Sequence, residues 1–447
     1  MKKNSWHLVL MAILCGCTLY WALSRDIQIE KQCGFDLRNR VVGARLQMDG
    51  IPPYFYKWKP EDGLRYYDPL RFDTTYANAV TATPFFHHLL YPIANLPQSK
   101  ILGIWLGVQY GLLIGCMLIA FSFTQNIQQR WAVAITGMIC LFTTPWLNLI
   151  LYGQIYMVFP FLCLLFIFFF RKQNKLVYSF LSGLIAISLV LSRPTLILFL
   201  LPFLLLINKY SIRQLLTFFT PVLILSVYFL LNPKERSFWL DYQKGVSAHA
   251  KDHLSADHVE RNINYRIVTY AHWEGMDTEA RLKEQANNPV LLKKEFASVK
   301  ALAFNLFNIK LSGTALSVSF VILTGLLITI FASKRWKDPS IDATTAFLFG
   351  FCLYMISDFF SPIIRTPYYV VQWIAPLLLC ASFYEKRNKL FHLLLIVALL
   401  LNALDIEQIK MRHTLGEAII LSCLLWFSCF KQLNNKPTES PSAIPSS

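Results

Sequence analysis

Charge is scarce in this chain, and a cysteine framework is missing. Only 15% of its 447 residues are charged, too few to cover the surface of a soluble multidomain protein. Nine of the ten cysteines fall inside apolar runs, so Cys33 stands alone in a long polar stretch and a disulfide scaffold is excluded. No convincing repeat relates the two halves, and the paired interrupted helices that mark many secondary transporters are absent. A basic patch is missing too. The net charge of +16 therefore does not point to nucleic acid: the basic residues punctuate the ends of apolar runs, as membrane topology requires.

What the chain has in abundance is oil. Apolar residues make up 55% of it, 35 of them Phe, in runs from "WHLVLMAILCGCTLYWAL" near the start to "LGEAIILSCLLWFSCF" near the end. A spanning helix needs about 20 predominantly apolar residues, so the composition predicts an all-α polytopic membrane protein. One integral membrane domain is expected over 1–430, followed by a disordered cytoplasmic tail, 431–447, reading "KQLNNKPTESPSAIPSS". "AILCGC" faintly resembles a lipoprotein cleavage site, but its run is long enough to span and many others follow.

About twelve spans are expected, near 5–24, 101–123, 131–150, 155–170, 177–192, 194–208, 212–231, 312–332, 342–360, 367–384, 390–404 and 415–430. The short pieces on either side of Arg193 are two spans or one broken, re-entrant pair. Connections alternate in character. The set "QNIQQR", "RKQNK", "NKYSIR", "SKRWK" and "EKRNK" with both termini holds 16 Lys and Arg, and the set "YGQ", "SRP", "SPIIRTP" and "DIEQIKMRH" holds four. The first set is expected in the cytoplasm. Both termini would then be cytoplasmic, as in a multi-pass protein of the bacterial plasma membrane. The long loops 25–100 and 232–311 would lie outside the cytoplasm, each carrying an amphipathic helix.

In the first loop, "CGFDLRNRVVGARLQMDGIPPYFYKW" places Leu37, Val41, Ala44 and Met48 at helical spacing with Arg38, Arg40, Arg45 and Gln47 on other faces. This predicts an amphipathic helix on the outer membrane surface, with Asp36 at its N-cap and Gly50 as its stop. The rings of "YFYKW" suit interfacial anchors. "TATPFFHHLLYPIANLP" is too rich in proline to span and predicts a short surface or re-entrant helix.

These two segments together resemble glycosyltransferase family 87, membrane enzymes of the C-type superfamily whose best-known relatives use polyprenyl-phosphate mannose. Asp36, Gly50, Pro53 and Tyr54 match the first motif, and Pro84, Phe85, Pro92, Leu96 and Pro97 the second. "YGQIYMVFPFLCLL", "GLIAISLVLSRPTLILFLLPFLL" and "SPIIRTPYYVVQWIAPLLL" follow in the family's order, so the resemblance runs from about residue 5 to about 385. Two departures stand out: Arg193 replaces a common Lys, and Arg365, Tyr368 and Tyr369 follow Ser-Pro where a His is often found.

The resemblance implies a C-type glycosyltransferase fold and transfer of a mannose-like hexose from a polyprenyl-phosphate carrier to an extracytoplasmic glycan or glycolipid. Asp36 is then the base on the acceptor hydroxyl. Arg193 and Arg365, each the only ionisable residue in a short outer connection, are candidates for the phosphate. Interfacial snorkelling is the plain alternative for both. His87 and His88 could also bond the phosphate or serve structure, while Tyr54, Gln154 and Tyr368 would line the cavity. Asp68 and Asp73, in the "GLRYYDPLRFDTTYANAV" insert, would shape the acceptor groove. In the second loop His249, His253, Asp257 and His258 have ligand-like spacing if helical, but no metal and no cofactor is expected. A flippase for lipid-linked saccharide, or a polymerase or ligase using a diphosphate-linked oligosaccharide, are the competing functions.

The topology has a direct test. Single cysteines at Tyr56 and Ser255, in a chain lacking Cys33, should react with an impermeant thiol reagent added outside the cell; labelling only after the membrane is opened would put these loops in the cytoplasm.

Overall fold

The computed structural model describes residues 5–30, 34–67, 80–172, 175–255, 264–266, 291–293, 298–335, 341–361, 365–383, 389–404 and 411–430. Helices occupy all the expected apolar segments. In order they are α1 (Ser5–Glu30), α2 (Phe35–Met48), α3 (Pro84–Ala94), α4 (Gln98–Phe121), α5 (Ile127–Cys140), α6 (Thr144–Tyr152), α7 (Val158–Phe170), α8 (Leu176–Ser192), α9 (Pro194–Lys209), α10 (Ile212–Leu231) and α11 (Pro233–Ser255). Then follow α12 (Val299–Phe307), α13 (Gly313–Arg335), α14 (Ala343–Phe359), α15 (Pro367–Ser382), α16 (Lys389–Ala403) and α17 (Arg412–Phe430). α9 is mostly 3-10, over Pro194–Leu196 and Leu201–Lys209, and α15 is 3-10 over Pro367–Trp373; each is opened by a proline that lacks the N–H a first turn leaves unused. Three-residue strands, Asn264–Arg266 and Leu291–Lys293, pair antiparallel with Tyr265 opposite Leu292.

Among the described residues five helices, α1, α4, α10, α13 and α17, are long and apolar enough to cross a membrane. A sixth span is possible if the bent pair α5 and α6 counts as one. The remaining apolar helices, α7, α8, α9, α14, α15 and α16, are shorter. The straight span expected over 131–150 is broken: α5 and α6 meet at 55°. The break is local chemistry. Thr143 folds its hydroxyl back to cap Trp146 N, and Pro145 starts a new helix.

The core lies around α14, whose residues Thr344 to Ile356 are all buried, with α9 and α17 against it and α15 packed on α4 and α5. Side chains on α1, α10 and α13 do the opposite. Trp6 and Trp21, Leu216 and Leu223, and Val321 and Ile322 are among many large apolar groups left exposed. An apolar surface of this extent is compatible with lipid and not with water.

Buried charge ties the bundle together. Asp26, two residues beyond the expected end of the first span, is fully buried, and four donors meet its carboxylate: Arg25 Nε at 2.8 Å and NH2 at 2.7 Å on one oxygen, Tyr110 Oη and Trp146 Nε1 at 2.7 Å on the other. Arg25 also donates to Leu141 O at 2.8 Å, so this single carboxylate fastens α1 to α4 and to the α5–α6 break.

The helix after the first span is not an amphipathic surface helix. From Leu37 to Gln47 every residue of α2 except Asn39 is buried, because α3, the end of α6 and the chain from 51 to 67 close around it. Its arginines, read from the sequence as a polar face, turn inward to main-chain carbonyls: Arg38 donates to Tyr67 O at 2.6 Å and Leu64 O at 3.1 Å, and Arg45 to Ala94 O at 2.7 Å and Arg65 O at 2.9 Å. α3 is the expected short helix, capped by Thr83 with Pro84 at its first position.

Asp26→Ala should lower stability by about 3 kcal/mol, because buried donors on Tyr110 and Trp146 and a half-buried Arg25 lose their acceptor together. Thermal unfolding in detergent measures it; a change within error would show that water replaces the carboxylate without cost.

Candidate functional site

The site begins where α2 abuts α6. Gly34 caps α2 with φ 94° and sends its N–H to Leu151 O at 3.0 Å. Gly153 closes α6 at φ 64°, a left-handed geometry, and a Cβ there would sit 2.7 Å from that of Leu37. Only glycine fits this corner. The cap is Gly34, so the expected capping role of Asp36 is replaced: Asp36 lies in the first turn of α2, half-buried.

The corner brings Gln154 between two charges. Its Nε2 donates to Asp36 Oδ2, and its Oε1 accepts from Arg40 NH2 at 2.7 Å. Since a guanidinium can only donate and a carboxylate here only accepts, Arg40 dictates which way the amide points and so guarantees an N–H for Asp36. Asp36 and Arg40 are four residues apart, hence on one face of α2. Tyr368 lies within electrostatic reach of both. Asp36, Gln154 and Tyr368, three of the expected site residues, are thus together.

From Tyr368 an aromatic wall leads to Arg193. Tyr368 stacks on Tyr156 and Tyr369 at 5.4 and 5.0 Å between ring centroids. The Arg193 guanidinium lies 5.2 to 5.6 Å from the rings of Tyr156, Tyr354, Tyr369 and Phe159 and forms an ion pair with Asp358. Its side chain keeps 19% of its surface exposed. Arg365 is 1% exposed and its fork is engaged: NH1 and NH2 both reach Glu417, the second at 2.7 Å, while Nε is 3.8 Å from Asp358. Trp373 Nε1 also donates to Glu417 at 2.8 Å, and Gln372 links the Tyr354 hydroxyl to Asp358. Two guanidinium groups and two carboxylates form one balanced network. Within it Arg193 is the cation with surface left to offer.

The other expected residues fall elsewhere. His87 is fully buried between α2 and α3, with Nδ1 2.9 Å from Gln47 Oε1 and Nε2 against Gly43, where a Cβ would come within 2.6 Å. Burial, reinforced by the nearby charges of His88 and Arg40, pushes its pKa down to about 3. A neutral, enclosed imidazole packs and does not grip an anion. His88 faces α11, 3.1 Å from Glu235 Oε2. Tyr54 is a buried pin, its hydroxyl on Ala82 O at 2.9 Å and its ring against His87 and Tyr242; burial raises its pKa. Asp68 and Asp73 lie outside the described residues, as do Asp257 and His258. His249 is on α11, and no group of three possible metal ligands occurs among the described residues. Asp358 and Glu417 are not among the expected site residues, and Arg40 figures in the sequence only on the polar side of a helix, although an ionisable residue inside an apolar run, as Asp358 and Glu417 are, is itself a signal.

Lipid-compatible outer faces around a half-buried carboxylate and buried arginines define a membrane protein with an ionic site inside its helical bundle. The chain belongs to glycosyltransferase family 87: the family's model matches residues 81–362, and with it comes the class of membrane glycosyltransferases. Gln154, Arg193 and Asp358 lie within the match; Asp36 and Arg40 precede it and Arg365 follows it. No curated protein and no solved structure matches the chain.

His87 has a consequence for acid stability. The unfolded chain takes up this proton near pH 6.5 while the folded chain resists until about 3, so the fold binds fewer protons in that window and loses about 1.4 kcal/mol per pH unit as pH falls through it. His87→Gln should flatten the fall in unfolding temperature between pH 6 and 4. An equally steep fall in the variant would mean that the imidazole is reached by protons in the folded state.

Proposed function

We propose that this glycosyltransferase moves a hexose from a polyprenyl-phosphate carrier to a hydroxyl of an extracytoplasmic glycan or glycolipid, with Asp36 as the base. The observation that carries the reading is the half-buried Asp36 carboxylate, oriented by Gln154 and set beside Tyr368. One carboxylate oxygen takes the Gln154 N–H, which fixes the orientation of the group toward the acceptor. The acceptor oxygen attacks the anomeric carbon as its proton passes to Asp36. The bond from that carbon to the phosphate oxygen breaks, its electron pair leaving on the carrier phosphate. Developing charge on that oxygen is what a nearby cation stabilises.

Arg193 suits the donor side, since it is partly exposed and held by Asp358 from behind. Arg365 is better read as a positioning residue: forked onto Glu417 and close to Asp358, it keeps the Arg193 partner in place. The charge split between the two sets of connections supports an extracytoplasmic site. A mannose-like sugar rests on the likeness to relatives that use polyprenyl-phosphate mannose.

Asp36→Asn should cut turnover about 10²- to 10⁴-fold with folding intact, because Asn still accepts from Gln154 but does not take up a proton. Arg193→Ala should lower turnover or raise the donor's KM by about ten- to a hundredfold, Arg193→Lys less, and neither should move the acceptor's KM. Near-normal turnover in Asp36→Asn removes the base; a defect confined to the acceptor moves Arg193 to the acceptor side.

A further inference from the structure

Arg40 is the buried cation whose partners do not account for it. Only 9% of its surface is exposed. NH2 is engaged by Gln154 Oε1, but NH1, with no exposed surface, meets no acceptor among the described residues. The neighbouring arginines are treated differently: Arg193 pairs directly with Asp358 and Arg365 with Glu417. Among the described residues, Arg40 reaches a carboxylate only through the Gln154 amide, which ends on Asp36. Holding a guanidinium N–H out of water without an acceptor costs on the order of 1–3 kcal/mol. Such a cost is sustained where an anion arrives during function.

The placement fits one kind of anion. Four residues along a helix advance about 6 Å, so a group held by Arg40 lies one turn from the Asp36 carboxylate on the same face. That is comparable to the reach from an acceptor hydroxyl, across an anomeric carbon, to the departing oxygen. We infer that Arg40 receives the phosphate of the lipid carrier, with NH1 donating to a phosphate oxygen while NH2 keeps Gln154 aimed at Asp36. The inference rests on the reading of Asp36 as the base, and it joins the two halves of the reaction: the base accepts the acceptor's proton, and Arg40 stabilises the electron pair that leaves on phosphate.

The test is a binding measurement on the full-length protein in detergent, with polyprenyl monophosphate, the matching polyprenol and inorganic phosphate as probes. Wild type should bind the lipid phosphate about ten- to a hundredfold more tightly than the polyprenol, and Arg40→Met should erase most of that difference while leaving polyprenol affinity unchanged. If Arg40→Met does not fold, Arg40→Lys decides by the same ratio, which should fall in part. Inorganic phosphate competing as well as the lipid phosphate would overturn the lipid carrier as the ligand. A ratio that persists in the folded variant would overturn Arg40 as its receptor. Failure of the base assignment looks different: Asp36→Asn would then turn over normally while the Arg40 effect on binding remained.

Discussion

Charge inside an apolar bundle has no water to fall back on, so each buried guanidinium and carboxylate must be met by protein. That constraint organises this molecule. It gathers four donors on Asp26 and binds α1 to the bundle. It closes Arg193, Asp358, Arg365 and Glu417 into one balanced network across α8, α14, α15 and α17. It also turns Arg38 and Arg45 inward, so that carbonyls of residues 64 to 67 and of Ala94 wrap α2 instead of leaving it at a membrane surface. Against this background the bonding of Arg40 is informative, because Arg193 and Arg365 each meet a carboxylate directly, whereas Arg40 NH2 meets an amide oxygen and its NH1 meets no acceptor among the described residues.

The arrangement also shows how the segment that carries Asp36 is held with the precision of a helix. The Gly34–Leu151 hydrogen bond and the glycine corner at Gly153 press the start of α2 onto the end of α6. Gln154, the next residue, then fixes the carboxylate. α3 meets α11 through His88 and Glu235, and the segment after α2 meets it through Tyr54 and Tyr242, so the second loop's helix rests on the first loop. Site geometry is set by these contacts between segments more than one hundred residues apart in the chain.

Helix positions were legible in the sequence because long apolar runs leave few alternatives, and Asp36, Gln154, Arg193 and Tyr368 could be singled out by the charge or motif they carry. The burial of α2 was not legible. Its partners are peptide carbonyls far along the chain, which have no side-chain signature, and arginines beside an apolar stripe read as the polar side of a membrane-surface helix. The bend at Thr143 was missed although Thr-Thr-Pro can cap and start a helix, because the run on either side is apolar. Arg365 appeared isolated since its partner Glu417 stands 52 residues away inside another apolar run. Pairing across helices is a property of the assembled bundle, and a charge counted loop by loop does not reveal it.

The claim on which the rest depends is that sugar leaves a lipid monophosphate at this site. The direct measurement is release of free polyprenyl phosphate when purified protein, reconstituted in vesicles with a membrane glycolipid extract, is given a polyprenyl monophosphate hexose. The account predicts release of lipid phosphate in step with sugar appearing on an acceptor. Sugar-lipid crossing the vesicle membrane intact, with no phosphate released by folded protein, would contradict it.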